Sequence, residues 1–569
     1  MQFADSRLIS ISGSIRFLPT VALLLTVAAL ASCSMARDVP ATEAERSAVS
    51  AQANASPVSS STASLQSATP SGFTVPLNRQ TASPPAIERN LDESSTAVAT
   101  LSLDAPAAAA EIRDGQLASH TVQRGDTLTR IAERYDVSIN ALLNANNLPN
   151  PDFLEVGQVI NLPQTPVEYT PAFRILPDSR LVRSVDAFRF DTDAFLRSQA
   201  GMLPQINVFT PTRLADGTQR SDALTASQII ERVSREYSVD ARLLLAFLEY
   251  FAGLVTASTE EEEALLYPFV APDASTQTGR KGLYAQLSLM ADRLNQGYYD
   301  WKYRSKTILE AVDGSRLNFH PDLNAATIGV QFAIAQMRSL EQWESDVGEA
   351  GLFETYRRLF GDPFEDAHET TAADLVQPLL TLPFPRGDVW RFTGGFHGGW
   401  GNGSAWSAVD FAPPDEDKTS WCYTSNFPIT AIARGIIARI DDGVIVLDLD
   451  GDGNEGSGWT ILYLHISPHD AVHEGQVVDA GNILGYTSCA GGFSTATHLH
   501  IARRFNGEWI PADCNRCPPG VAVPPFVMSN WKVLGLGSQL YQGFLVNNLD
   551  NRSVIAEQGR FTDVNAISW

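Results

Sequence analysis

Apolar and polar positions follow five different patterns along this chain, and each predicts a different kind of segment. Residues 17–31 are almost unbrokenly apolar, a run of about 15 that falls short of the roughly 20 needed for a spanning helix. Residues 34–118 are rich in Ala, Ser, Thr and Pro without a sustained period. Such a segment buries too little apolar surface to offset its ordering entropy. From His120 the pattern tightens. Leu128, Ile131, Ala132 and Tyr135 share one helical face, and a second helix, which Ser138 can cap, carries Ile139, Leu142 and Leu143. Short strands flank both. From about 170 to 380 the period is helical, as in Ile229, Ile230, Val233 and Tyr237, or Leu283, Leu287, Met290 and Leu294. From Pro383 onward short strands such as "AIARGIIARIDDGVIVLDL" and "WTILYLHIS" alternate with Gly-rich turns, which predicts antiparallel β structure.

The chain therefore reads as multidomain. We expect a signal peptide (1–32), a disordered tether (33–118), a small βααβ module (119–164), a mainly α central domain (165–382), a mainly antiparallel β domain (383–535) and a C-terminal extension (536–569). The 569 residues leave room for three or four domains of about 150 residues each. With 41 Lys+Arg against 65 Asp+Glu, no basic footprint for phosphate exists, and nucleic acid is excluded as a partner. A polytopic membrane protein is excluded because one stretch alone is apolar enough to suggest a bilayer.

The apolar run ends Leu30-Ala31-Ser32-Cys33, which resembles the lipobox of bacterial lipoproteins. The resemblance implies lipidation of Cys33 and an exported, membrane-anchored protein facing the cell wall or periplasm. In an exported chain the remaining Cys422, Cys489, Cys514 and Cys517 read as disulfides. Three pairings are open, and Cys422–Cys489 with Cys514–Cys517 is favoured. The segment from "HTVQRGDTL" to "VGQVINLP" resembles a lysin motif (LysM), a module that binds N-acetylglucosamine polymers such as peptidoglycan. The family's shallow site would fall on Gly125, Asp126, Thr127 and Leu128, and on the loop of Asn147 and Pro149.

Candidate chemistry concentrates near the C-terminus, where six of the nine histidines lie between His397 and His500. In His498-Leu499-His500 the two imidazoles are two apart on a strand and would face one groove. His465 lies on another strand with Tyr463 expected on its face. Asp410 sits among Ala408, Val409, Phe411 and Ala412, where a carboxylate is costly unless paired or metal-bound. Two His and one Asp with an open position make a catalytic zinc site. Together these pieces resemble the lysostaphin-type zinc endopeptidases of bacterial cell walls. The usual first His, four before the Asp, is here Trp406. His397 instead stands thirteen before Asp410 in a Gly-rich loop, as in the staphylolytic and beta-lytic branch. The resemblance implies that His397, Asp410 and His500 ligate one Zn2+. It implies that His465 and His498 handle protons, with Tyr463 as a hydrogen-bond donor. The expected activity is hydrolysis of peptide bonds in peptidoglycan, with the glycan and stem peptide as partners.

Three other readings stand beside this one. Asp448, Asp450, Asp452 and Asn454, with Gly453 sixth, resemble a Ca2+-binding loop, although Trp459 fills the twelfth position and the flanks look like strands. Asp-Gly repeats also serve ordinary hairpin turns. "YSVDARLLLAFLEYFAG" faintly resembles the helix that presents the catalytic Glu of lysozyme-like transglycosylases, with Glu249 in that place. The alternative to an enzyme is a lipoprotein that activates cell-wall amidases without cutting anything, or a wall-binding protein. The sequence carries no signal for oligomeric state.

Overall fold

The computed structural model describes residues 119–569 except 136, 138, 147, 149–153, 163–167, 258–261, 271–280, 373, 416–417, 470–471 and 559–562. The signal peptide, Cys33 and the tether lie outside the described residues, and so do Asn147 and Pro149. Among the described residues no helix is long and apolar enough to cross a membrane.

The first module pairs β1 (Ser119–Thr121) antiparallel with β2 (Val159–Asn161), with α1 (Leu128–Tyr135) and α2 (Ile139–Ala145) between them. Val122, Leu128, Ile131, Leu142 and Ile160 form its core. Asn146 ties helix to strand: its amide donates to Leu142 O and Asn161 O and accepts from Asn161 N.

The central region is mainly α, and after two short helices (Val185–Phe188 and Thr192–Ser198) it forms a hairpin, β3 (Asn207–Arg213) and β4 (Gln219–Thr225). Thr225 then starts α3 (Ala226–Tyr237) with a reciprocal capping box to Gln228. Asp240 caps α4 (Ala241–Ala252), which stops at Gly253 in left-handed backbone. The long α5 (Leu283–Arg304) packs on α6 (Ala325–Ala335). Glycine permits this approach: a Cβ on Gly329 would lie 2.7 Å from Leu294 O, and one on Gly297 2.9 Å from Gly329 Cα.

The C-terminal region is built on an antiparallel sheet of 11 strands among the described residues. Its centre comprises β5 (Trp390–His397), β6 (Ala408–Ala412), β7 (Gly435–Asp441), β8 (Gly443–Asp448), β9 (Trp459–Pro468) and β10 (Leu499–Phe505), in the order β7-β8-β9-β10-β6-β5. A second sheet holds β11 (Trp531–Leu536) and β12 (Gln539–Asn547) and packs on β5. The C-terminal extension is therefore no appendage. A boundary at 535/536 would cut β11, and Ala566–Ile567 pairs with Trp390 and Arg391 at the edge of the main sheet.

The main sheet buries both faces. Ile445, Ile461, Tyr463 and Ile501 point into one core with Phe526 and Val533. Val444, Val446, Leu462, Leu464 and Ala502 point the other way and share a core with the central helices. Buried charge also crosses this junction. Glu508, fully buried on the sheet side, accepts from Lys302 Nζ (2.9 Å) and Tyr303 Oη (2.6 Å) of α5.

Candidate metal centre

Strand register brings the first two groups together. Asp410 of β6 lies directly opposite His500 of β10, so both side chains leave the same face. His397 arrives by a different route. In β5, Gly394 pairs with Asp410 and His397 with Ala408, three residues against two. This bulge turns His397 onto the face of Asp410. Gly394 leaves room for the carboxylate, since a Cβ there would meet Asp410 Oδ2 at 2.3 Å.

Three donor atoms converge. His397 Nε2 and His500 Nδ1 are 2.9 Å apart, and each is 3.3 Å from Asp410 Oδ1. A four-coordinate ion with bonds of about 2.0–2.1 Å needs donors about 3.3 Å apart. Asp410 Oδ1 is buried without a hydrogen-bond partner, which is what a carboxylate waiting for a cation looks like. The other ring nitrogens fix the tautomers. His397 Nδ1 meets Gly395 O at 2.8 Å and His500 Nε2 meets Gly399 O at 3.0 Å. Carbonyls only accept, so those nitrogens carry the protons and the converging ones present lone pairs. The residues fit a metal ion.

Two more histidines face this triangle. His498 Nε2 is 3.7 Å from Asp410 Oδ1, and its Nδ1 donates to Ala496 O at 2.8 Å. His465 Nδ1 donates to Ala490 O at 2.9 Å, and its ring centroid is 4.6 Å from that of His498. Burial, reinforced by the neighbouring His498 and His500, pushes the His465 imidazole well below its ordinary range and keeps it neutral. Burial alone would raise the Asp410 carboxyl, but the surrounding imidazoles, His397 first, hold it well below the carboxylate range.

Tyr463 is not part of the site. The alternation that would place it beside His465 fails, because β9 bulges there: Gly443 pairs with Ile466 and Val444 with Leu464, leaving His465 between them at φ +67°. Tyr463 points into the opposite core, where its hydroxyl accepts from Ile432 N at 2.9 Å. The aromatic partner is instead Tyr541 of β12, whose ring stacks on His397 with centroids 4.3 Å apart. Sequence reasoning missed it. It lies in the presumed extension, and its local sequence carries no metal-site pattern.

The structure also places the other candidates. Cys422 pairs with Cys489 and Cys514 with Cys517. In the first module Leu128 is buried, and Asp126 accepts from Gln123 N and His120 Nε2, leaving Gly125 and Thr127 towards solvent. The acidic loop is a turn, and the calcium expectation finds no support. The Asp448 carboxylate accepts from Gly451 N and Gly453 N, Asn454 Oδ1 accepts from Gly456 N, and position twelve, Trp459, starts β9. Glu249 is a helix-end clamp. It accepts from Val255 N, Thr256 N and Oγ1, and Arg358. Burial would raise its carboxyl, but the Thr256 bonds and the other donors carry it below the usual range, so it has no proton to give as a general acid.

Comparison with known proteins gives three family matches along the chain. Residues 120–163 match the LysM domain family, 174–373 the family described as LasA, N-terminal domain, and 416–511 Peptidase family M23. The chain carries a LysM domain and an M23 peptidase domain, and that peptidase family implies a metal. The M23 match includes His465, His498 and His500 and begins beyond His397 and Asp410. Protease LasA of Pseudomonas aeruginosa is 24% identical over 403 residues, covering 66% of this chain and 83% of that protein. Among solved structures, the deep-sea M23 metalloprotease pseudoalterin is 21% identical with a TM-score of 0.24, covering 33% of this chain and 99% of its own. The catalytic domain of the antimicrobial peptidase lysostaphin from Staphylococcus simulans is 27% identical with a TM-score of 0.15, covering 22% and 81%.

Proposed function

We propose that this protein is a zinc-dependent endopeptidase that hydrolyses peptide bonds of bacterial peptidoglycan. In this reading its LysM domain holds the glycan, and a lipid on Cys33 holds the chain to a membrane facing the wall. The observation that carries the reading is the set of three converging donors around the orphaned Asp410 Oδ1. His397 Nε2, Asp410 Oδ1 and His500 Nδ1 would hold the ion. When bound, zinc supplies a Lewis acid and lowers the pKa of a water from about 15.7 to about 7.

The remaining steps belong to the protein's own groups. His498 presents an unprotonated Nε2 to the centre and takes a proton from the attacking water. The water oxygen bonds to the scissile carbonyl carbon, the C–N bond breaks, and the proton passes to the leaving amine. His465, its ring fixed through Nδ1 on Ala490 O beside His498, is the second imidazole of the pair that serves the oxyanion and the leaving amine. Tyr541 packs His397 in place. LysM binding raises the local concentration of the peptidase on the polymer.

The test is incubation of the protein with purified peptidoglycan, with and without a zinc chelator, scoring new amino groups and new reducing ends separately. We expect chelator-sensitive amino groups, and fragment masses that show cleavage within the peptide. Wall binding with neither product would leave the non-catalytic activator of amidases. Chelator-resistant reducing ends would return the chemistry to Glu249.

A further inference from the structure

The loop between β5 and β6 serves the metal centre through a carbonyl. It runs Gly398-Gly399-Trp400-Gly401-Asn402-Gly403-Ser404, and Gly399 O accepts from His500 Nε2. Four of these seven residues are glycine, so the free loop could sample many backbone shapes, and its neighbours must select one. Its own ties run from Gly399 N to Ala405 O at 3.2 Å and from Trp400 N to Ser404 Oγ at 3.1 Å.

Further grips come from α5 of the helical region. Asp292 Oδ1 accepts from Gly403 N at 2.8 Å, and Asn402 N gives the carboxylate a second hydrogen bond. Arg304, braced on Asp300, donates to Ser404 O at 3.0 Å and to Gly403 O at 3.2 Å. The loop lies against the helix at a distance that glycine alone allows. A Cβ on Gly403 would lie 1.9 Å from Asp292 O, and one on Gly401 2.4 Å from Asp292 Oδ1.

The three ligands differ in what they owe to this contact. Asp410 is set by strand pairing, and His397 takes its tautomer from Gly395 O in its own strand. His500 takes its tautomer from an oxygen in the loop that α5 grips. We propose that Asp292 is a positioning residue for the metal centre: it touches no ligand, and through the Gly398–Ser404 loop it holds Gly399 O on His500 Nε2. The inference rests on the zinc reading for the identity of the ion. Groups that orient a ligating imidazole are worth about 10–100-fold in metal affinity.

The test uses the full chain. It reads the zinc dissociation constant by competition with a chromophoric chelator, and the visible spectrum of the Co2+-loaded protein. Asp292→Ala removes the acceptor for Gly403 N, whereas Asp292→Asn keeps an oxygen there. Glu249→Gln loosens the helical region at a clamp that bonds Val255, Thr256 and Arg358 and not the loop, and so controls for general destabilisation. We expect Asp292→Ala to bind zinc about 10-fold more weakly or worse, with an altered cobalt spectrum, and Asp292→Asn and Glu249→Gln to stay within about 3-fold of the parent. Should Asp292→Ala misfold, Arg304→Lys replaces it. That variant keeps a cation for Asp300 and gives up a carbonyl of the loop, and it should weaken zinc binding at least about 3-fold. Zinc binding that is unchanged in the folded variant, or weakened equally by Glu249→Gln, overturns the positioning role and leaves the metal reading standing. A parent chain that binds no zinc overturns the metal reading and the proposal with it.

Discussion

Asp410 carries the largest burden of any residue in the molecule. Its Oδ1 lies 3.3 Å from both converging imidazoles and has no hydrogen-bond partner. Asp410→Asn keeps the shape and removes the charge. We expect zinc content to fall from one ion per chain to almost none by atomic absorption, with an unchanged circular dichroism spectrum and hydrolysis reduced at least about 10³-fold. Tyr541→Phe keeps the ring on His397 and removes the hydroxyl. We expect zinc content and kcat to stay within about 2-fold of the parent by metal analysis and steady-state kinetics, because the ring that packs on His397 is retained. Glu249→Gln separates two ideas about one carboxylate. It should lower stability by about 1–3 kcal/mol, the worth of charge-assisted bonds to a buried group, and leave hydrolysis per folded molecule unchanged. A loss of activity at unchanged Tm would reverse that assignment.

At the scale of elements, bulges decide which side chains meet. A strict period of two predicts Tyr463 beside His465. The bulge at His465 hands the place to a residue from β12, and nothing in "LYLHISP" marks it. His397 is legible only through its spacing to Asp410 and the family resemblance, because a bulge in β5 puts it on the ligand face. The helices were legible for the opposite reason: α3 to α5 repeat their apolar positions over several turns, so one irregular residue does not change their phase. The β3–β4 hairpin, short and half-exposed, left no comparable trace. The bulge has a price in glycine at Gly443, which sits at φ +78° where a Cβ would lie 2.4 Å from Ala490 C and Gly491 N. Gly443→Ala should cost at least about 1–2 kcal/mol from the left-handed backbone alone. It should also shift the segment that anchors His465, so we expect a lower kcat with zinc content preserved, checked by metal analysis beside steady-state kinetics.

Across the whole molecule, the helical region and the peptidase sheet share a core. Val444, Val446, Leu462, Leu464 and Ala502 belong to the core of the central helices, and Glu508 finds its cation on α5. We expect both regions to melt in one calorimetric transition, separate from that of the LysM domain with its own core. Lys302→Met leaves Glu508 buried without its cation and should cost about 3–5 kcal/mol, lowering the Tm of that transition alone. Two separate transitions for helices and sheet would refute the shared core.

All four histidines of the site take their orientation from carbonyl oxygens of the main chain, at Gly395, Gly399, Ala490 and Ala496. No codon change can delete a carbonyl. Substitutions around the centre therefore act by moving backbone, never by removing the acceptor that sets a tautomer. In a saturation library, tolerance should fall away sharply at the histidines and Asp410, then at the glycines that shape these loops. It should stay high at neighbouring side chains, so that the site drifts freely in sequence while its proton pattern stays fixed.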